Sequence, residues 1–70
     1  MRTTIKLDAK KLEQIRLEKG YSIRKFEIKS KVSRSTIIRL EKGVGTAEKY
    51  TASKLAKALG VSMEDLQWWN

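Results

Sequence analysis

Apolar residues recur along this chain at helical spacing, and glycine or serine interrupts them at short intervals. Leu12, Ile15 and Leu17 sit among lysines and glutamates between Ala9 and Lys19. This pattern predicts a first helix, entered at Asp8, whose carboxylate can accept an unpaired first-turn N–H, and ended by Gly20. Ile23, Phe26 and Ile28 mark a second helix over about 23–30, and Ile37, Ile38 and Leu40 a third over about 34–42. Ser22 and Ser33 stand where N-caps belong, and Gly43 where a left-handed cap favours glycine. Ala52, Leu55, Ala56 and Leu59 fall at i, i+3, i+4 and i+7, the single buried stripe of a fourth helix. That helix should begin near Thr46 or Ala47 and stop at Gly60. Ser62 and Asp65 form a weak capping box for a last short helix, with Met63 and Leu66 facing inward. Ahead of them, residues 1–7 (MRTTIKL) tend to β structure and read as extended.

The stretch from Gly20 to Gly43 organises the rest. Two short helices joined through Val32 by so tight a turn cannot lie side by side as a long hairpin, and suit a crossed helix-turn-helix. The expected fold is all-α, a compact bundle of four to five short helices. Two readings stand for the N-terminal segment. Ile5 and Leu7 cover the edge of the core, or Thr3–Leu7 pairs as an arm with a second subunit.

Length and charge narrow the function. Seventy residues make one domain, 1–70, which buries only about 60% of its unfolded surface. The chain has no cysteine and no histidine, which excludes the usual transition-metal sites and His- or Cys-based catalysis. Its acidic residues are scattered over helical surface positions, with no Gly-rich loop and no nucleophile–base pair. No catalytic residue, metal site, cofactor or small-molecule ligand is expected, and an enzyme is poorly supported. The formal charge of +8 and pI near 10.1 favour a polyanion: DNA, RNA or an anionic membrane, unless the charge serves solubility alone. No apolar run approaches the ~20 residues of a spanning helix, and the N-terminus lacks a signal-peptide core. The charges spread over several helices, which argues against a membrane-surface helix. A cytoplasmic protein is expected, associated with a prokaryotic nucleoid or encoded by a phage.

Gly20, Ser22, Phe26, Val32-Ser33, Ile37 and Leu40-Glu41-Lys42-Gly43 together resemble the helix-turn-helix, here about 22–42, of the phage repressor/Cro (Xre) family. The likeness extends to the first helix and to Ala56–Leu66 (AKALGVSMEDL), and so covers nearly the whole chain. Any one of these motifs is weak, whereas the ordered set is fairly specific. The resemblance implies a lambda-repressor-like domain that binds double-stranded DNA, with the third helix in the major groove.

In that helix Arg34 and Ile38, and Ser35 and Arg39, are each four apart and make two adjacent rows on one face. Arginine reads guanine O6 and N7 with two parallel bonds, and isoleucine can touch a thymine methyl. The resemblance places base contacts at Arg34, Ser35 and Arg39. The plain alternative is that the arginines are solvated surface residues. Ser22 offers a hydroxyl and a helix N-terminus to a phosphate. Arg24, Lys25, Lys29, Lys31, Ser33, Thr36 and Lys42 surround it as candidate phosphate contacts, which set register but not sequence. Lys25 and Lys29 could equally form a solvated face.

The resemblance also implies a partly buried salt bridge, Arg16–Glu41, tying the first helix to the end of the third. Three positions depart from the family pattern. Glu27 stands where a small residue is usual, so either the helices splay or the carboxylate reaches a cation such as Arg34 or Arg39. Lys31 occupies a turn position often held by glycine, where a left-handed lysine costs ~1 kcal/mol or more. Ile23 replaces a polar phosphate-binding residue. Trp68 and Trp69, near the end of so small a chain, close the monomer's own core or form an interface. A small transcriptional regulator, a repressor binding a palindromic operator as a homodimer, is the expected function. The alternative is an antitoxin-type domain whose main partner is another protein.

Overall fold

The computed structural model describes residues 3–68. Its elements in order are β1 (Thr4–Ile5), α1 (Ala9–Glu18), α2 (Ile23–Ser30), α3 (Arg34–Glu41), β2 (Ala47–Glu48), α4 (Lys49–Leu59) and α5 (Met63–Leu66). The helices start where the capping residues stand. Asp8, Ser22, Ser33 and Ser62 each accept the N–H three residues on, and at Ser62 the Asp65 carboxylate completes the box. Left-handed C-caps end two of them: Gly60 at φ 71° closes α4, and Lys31, at φ 60° and ψ 29°, closes α2 without the freedom a glycine would have.

The core gathers one face of every helix. Leu12, Phe26, Ile37, Ala52, Leu55, Leu59 and Leu66 are fully buried, with Leu7, Val32, Leu40, Ala47 and Ala56 nearly so. α2 packs on both α3 and α4, α1 lies against α3, and α5 covers α4. The apolar periodicity overreaches at two positions. Ile28 (64% exposed) and Leu17 (59% exposed) lie outside the core. Each is one of several apolar residues on a short helix, and Phe26 and Leu12 already fill the inward positions.

The start of α4 also differs from expectation. Ala47 and Glu48 are not helical but pair antiparallel with Ile5 and Thr4, so the helix begins at Lys49. α4 is the one α-helix among the described residues whose N-cap side chain makes no capping bond, and the Thr3 carbonyl accepts the Lys49 N–H instead, at 2.9 Å. The N-terminal segment thus supplies a missing cap. It pairs within its own chain, with Ile5 half-buried and Leu7 buried at the core edge. Its other end holds the C-terminal segment. Leu7 bridges Gln67, the Asp8 N–H donates to the Leu66 carbonyl (2.7 Å), and the Trp68 N–H donates to that of Lys6 (2.8 Å). Trp68 is 47% exposed. Trp69 lies outside the described residues.

Candidate nucleic-acid interface

α3 is held from three directions. Arg16 is buried, and its Nε and Nη2 donate to the two carboxylate oxygens of Glu41 at 2.7 and 3.0 Å, while Nη1 donates to the Tyr21 carbonyl at 2.7 Å. This bidentate pair joins α1 to the last residue of α3, and the third bond adds the loop before α2. At the junction of α2 and α3, the Ser30 hydroxyl donates to the Phe26 carbonyl and accepts the Val32 N–H, closing the turn. The third fixing point is Glu27. Its Oε2 accepts the backbone N–H of Arg34 at 3.0 Å. The expected cation partner is not the one observed: Glu27 bonds no arginine side chain but the first free N–H of α3. A carboxylate at a helix N-terminus satisfies an orphan donor and complements the dipole, so the glutamate is accommodated between α2 and α3.

The start of α3 carries a cluster of hydroxyls. Ser33 Oγ donates to Thr36 Oγ1 at 2.8 Å, accepts the Thr36 N–H at 3.4 Å and lies 3.4 Å from Ser35 Oγ. Arg34, Ser35 and Ile38 are all exposed on the outer face, Ile38 by 37%, while Ile37 and Leu40 point into the core. Arg34 and Ile38 form one accessible row, with Ser35 beside it.

Arg39 differs from them. It is half-buried, and its Nη1 donates to the carbonyls of Val44 (2.9 Å) and Thr46 (3.1 Å). The guanidinium therefore braces the loop after α3. A Cβ on Gly45 would lie 2.9 Å from that Nη1, and Gly45 has φ +74°, so the loop needs glycine there.

The basic side chains fall into three places. Ser22, Arg24 and Lys25 are exposed at the start of α2, where Ser22 Oγ accepts the Lys25 N–H at 3.0 Å. The ammonium groups of Lys25 and Lys29 lie 5.5 and 5.8 Å from the centre of the Tyr21 ring, a cation–π arrangement. Lys31, at the far end of α2, lines a hollow with Lys29, Lys54 and Lys57. Its carbonyl accepts from Lys54 Nζ at 3.4 Å. Lys42 caps the C-terminal end of α3, about 12 Å along the helix from Arg34. Lys31 thus stands at the turn just before Ser33, and Lys42 at the opposite end of α3. The partners of Glu27, Arg39 and Ser30 are backbone groups, which leave no mark in a sequence pattern, and Tyr21 carries no motif. Gly45 alone had a signal, as a glycine between the predicted third and fourth helices.

A helix-turn-helix family model, HTH_3, matches residues 12–66. The chain belongs to this helix-turn-helix family, the DNA-binding transcription regulators of the Xre and lambda-repressor type. No curated protein matches it by sequence. Among solved structures it is similar to the restriction-modification controller protein C.AhdI from Aeromonas hydrophila, with TM-score 0.77, 26% identity, and coverage of 81% of this chain and 86% of that one. SinR, a master regulator for biofilm formation solved in complex with DNA, gives TM-score 0.76 and 26% identity over 80% of this chain and 90% of its own. The clp gene regulator ClgR from Corynebacterium glutamicum gives TM-score 0.74 and 28% identity over 81% of this chain, but only 61% of that longer chain. Among the described residues no helix is long and apolar enough to cross a membrane.

Proposed function

We propose that this helix-turn-helix regulator reads double-stranded DNA with the outer row of α3 and acts as a repressor by occupying an operator. One observation carries the reading. Arg34, Ser35 and Ile38 are presented together on a helix fixed at both ends, by Glu27 at its start and by Arg16 through Glu41 at its end. Held in the major groove, Arg34 would donate two bonds to a guanine, Ser35 would bond a neighbouring base edge, and Ile38 would lie against a thymine methyl. Arg39 contributes chiefly by shaping the loop after α3, with its free donors reaching DNA. Ser22, Arg24 and Lys25 set the register on phosphates, the Ser33 and Thr36 hydroxyls bond each other at the start of α3, and Lys31 and Lys42 add attraction.

Repression follows from occupancy: a bound protein overlapping a promoter denies the site to polymerase. A two-fold dimer places two copies of α3 in successive major grooves, ~34 Å apart, on a palindromic site. Selection from a random duplex library tests both parts. A consensus with two inverted half-sites about one helical turn apart is expected. An asymmetric consensus overturns the dimer, and no consensus overturns sequence reading.

A second reading has one observation in its favour. Trp68 stands half-exposed at a groove of about 290 Å³ lined also by Leu7, Ala9 and Gly43. A groove with an indole at its edge suits an antitoxin-type domain whose main partner is another protein. Specific co-purification of a neighbouring gene product, lost on Trp68→Ala, would favour it.

A further inference from the structure

Seven basic residues lie between Ser22 and Lys42, against two acidic ones, Glu27 and Glu41. Glu41 is consumed by the buried pair with Arg16. Glu27 is therefore the one acidic side chain of the helix-turn-helix whose charge is not cancelled by a buried arginine, and it sits at the first residue of the helix that carries Arg34 and Ser35. The start of a helix, with its free N–H groups and positive dipole end, is where a DNA phosphate would otherwise settle. Here the positions are taken from within. Glu27 Oε2 accepts the Arg34 N–H at 3.0 Å, and Ser33 Oγ accepts the Thr36 N–H at 3.4 Å.

We infer that Glu27 is a specificity-determining residue. Its carboxylate occupies the anion position at the start of α3 and so denies it to the DNA backbone. This inference rests on the DNA-binding reading above and deepens it. Non-specific binding is almost entirely phosphate attraction, available in every register. A fixed negative charge at the leading end of α3 weakens that mode wherever the protein lands. In the specific complex the base contacts fix the register, and the phosphates stay on the Ser22 and Lys25 side. The carboxylate then costs little, while its bond to the Arg34 N–H keeps the helix aimed. Glu27 is thus a positioning residue through its oxygen and a selectivity residue through its charge.

Two substitutions separate these roles. Glu27→Gln keeps an oxygen that accepts the Arg34 N–H but removes the charge. Glu27→Ala removes both. Affinities for the selected operator and for a random duplex are measured across a salt series, alongside thermal melting. Glu27→Gln should melt only roughly 2–4 °C lower, from the lost attraction of the charge for the helix dipole, and bind random duplex roughly two- to five-fold tighter at low salt, the effect of one charge near a surface. Its operator affinity should rise less, so the ratio of specific to non-specific binding falls. Glu27→Ala should lose the same selectivity and melt roughly 4–8 °C lower, as expected for one lost cap in a domain of this size. If the parent discriminates operator from random duplex but Glu27→Gln binds random duplex no tighter, the inference falls and the DNA reading stands. If the parent binds neither duplex, both fall together.

Discussion

Single side chains decide how firmly this domain is held. Arg16 makes three hydrogen bonds with Nε, Nη1 and Nη2, and its side chain and that of Glu41 are only 9% and 6% exposed. Removing the arginine leaves a carboxylate in a site with almost no water. Arg16→Ala should therefore cost about 3–5 kcal/mol of stability, read as a large drop in melting temperature, and a variant that melts like the parent contradicts the pair's importance. Gly45 is a second such position. Gly45→Ala places a methyl against the Arg39 guanidinium and forces a left-handed alanine, which costs roughly 1–2 kcal/mol. It should also loosen the loop from Val44 to Thr46, measured as faster amide exchange there. The Arg16–Glu41 pair was legible because the resemblance places an arginine and a glutamate at those two positions. The Arg39 brace and the Glu27 cap were not, because a backbone acceptor or donor looks the same at every residue.

At the scale of elements, capping chemistry set the helices more sharply than periodicity did. Asp8, Ser22, Ser33 and Ser62 mark helix starts in the sequence and act there in the structure. The apolar spacing placed the buried stripe of α4 correctly, whereas Ile28, two residues from Phe26 and so across the helix from it, fits no common stripe with Phe26 and is exposed. The start of α4 was misplaced because Ala47 and Glu48 are claimed by a strand far away in the chain, and a long-range pairing leaves no local signature. The proposed reading turns on α3. Substitution along it should split by role. Arg34→Ala should relax preference at one base pair by about 1–3 kcal/mol. Lys25→Ala, at the start of α2, should weaken all duplexes alike and lower the salt slope by about one unit. A binding titration of both variants against the operator and its single-base changes checks this. Equal loss on every sequence for Arg34→Ala contradicts base reading.

The whole molecule is a small body, about 32 × 23 × 20 Å, and its two ends are tied into it. The segment from Thr3 to Asp8 pairs with β2 on one side and with Leu66–Trp68 on the other, and it caps α4 through the Thr3 carbonyl. A domain of this size has a thin core, so such ties matter. Removing residues 1–5 should expose Ala47, strip the cap from Lys49 and lower stability by roughly 1–2 kcal/mol, seen in denaturant melting. An unchanged midpoint contradicts a structural role for the segment. The all-α class was readable from the sequence, and the strand pair was not, since two residues on each side are too few to show an alternation.

The central claim is that α3 reads sequence and that the charge around it only assists. It is tested most directly by the affinity of the purified protein for its selected duplex against a scrambled one, followed across a salt series. Binding to the selected duplex about 10³-fold or more tighter, with a gap that persists as salt rises, is the predicted result. Equal affinities that vanish together as salt rises would contradict it, and would leave the net charge of +8 as a generic attraction for polyanions.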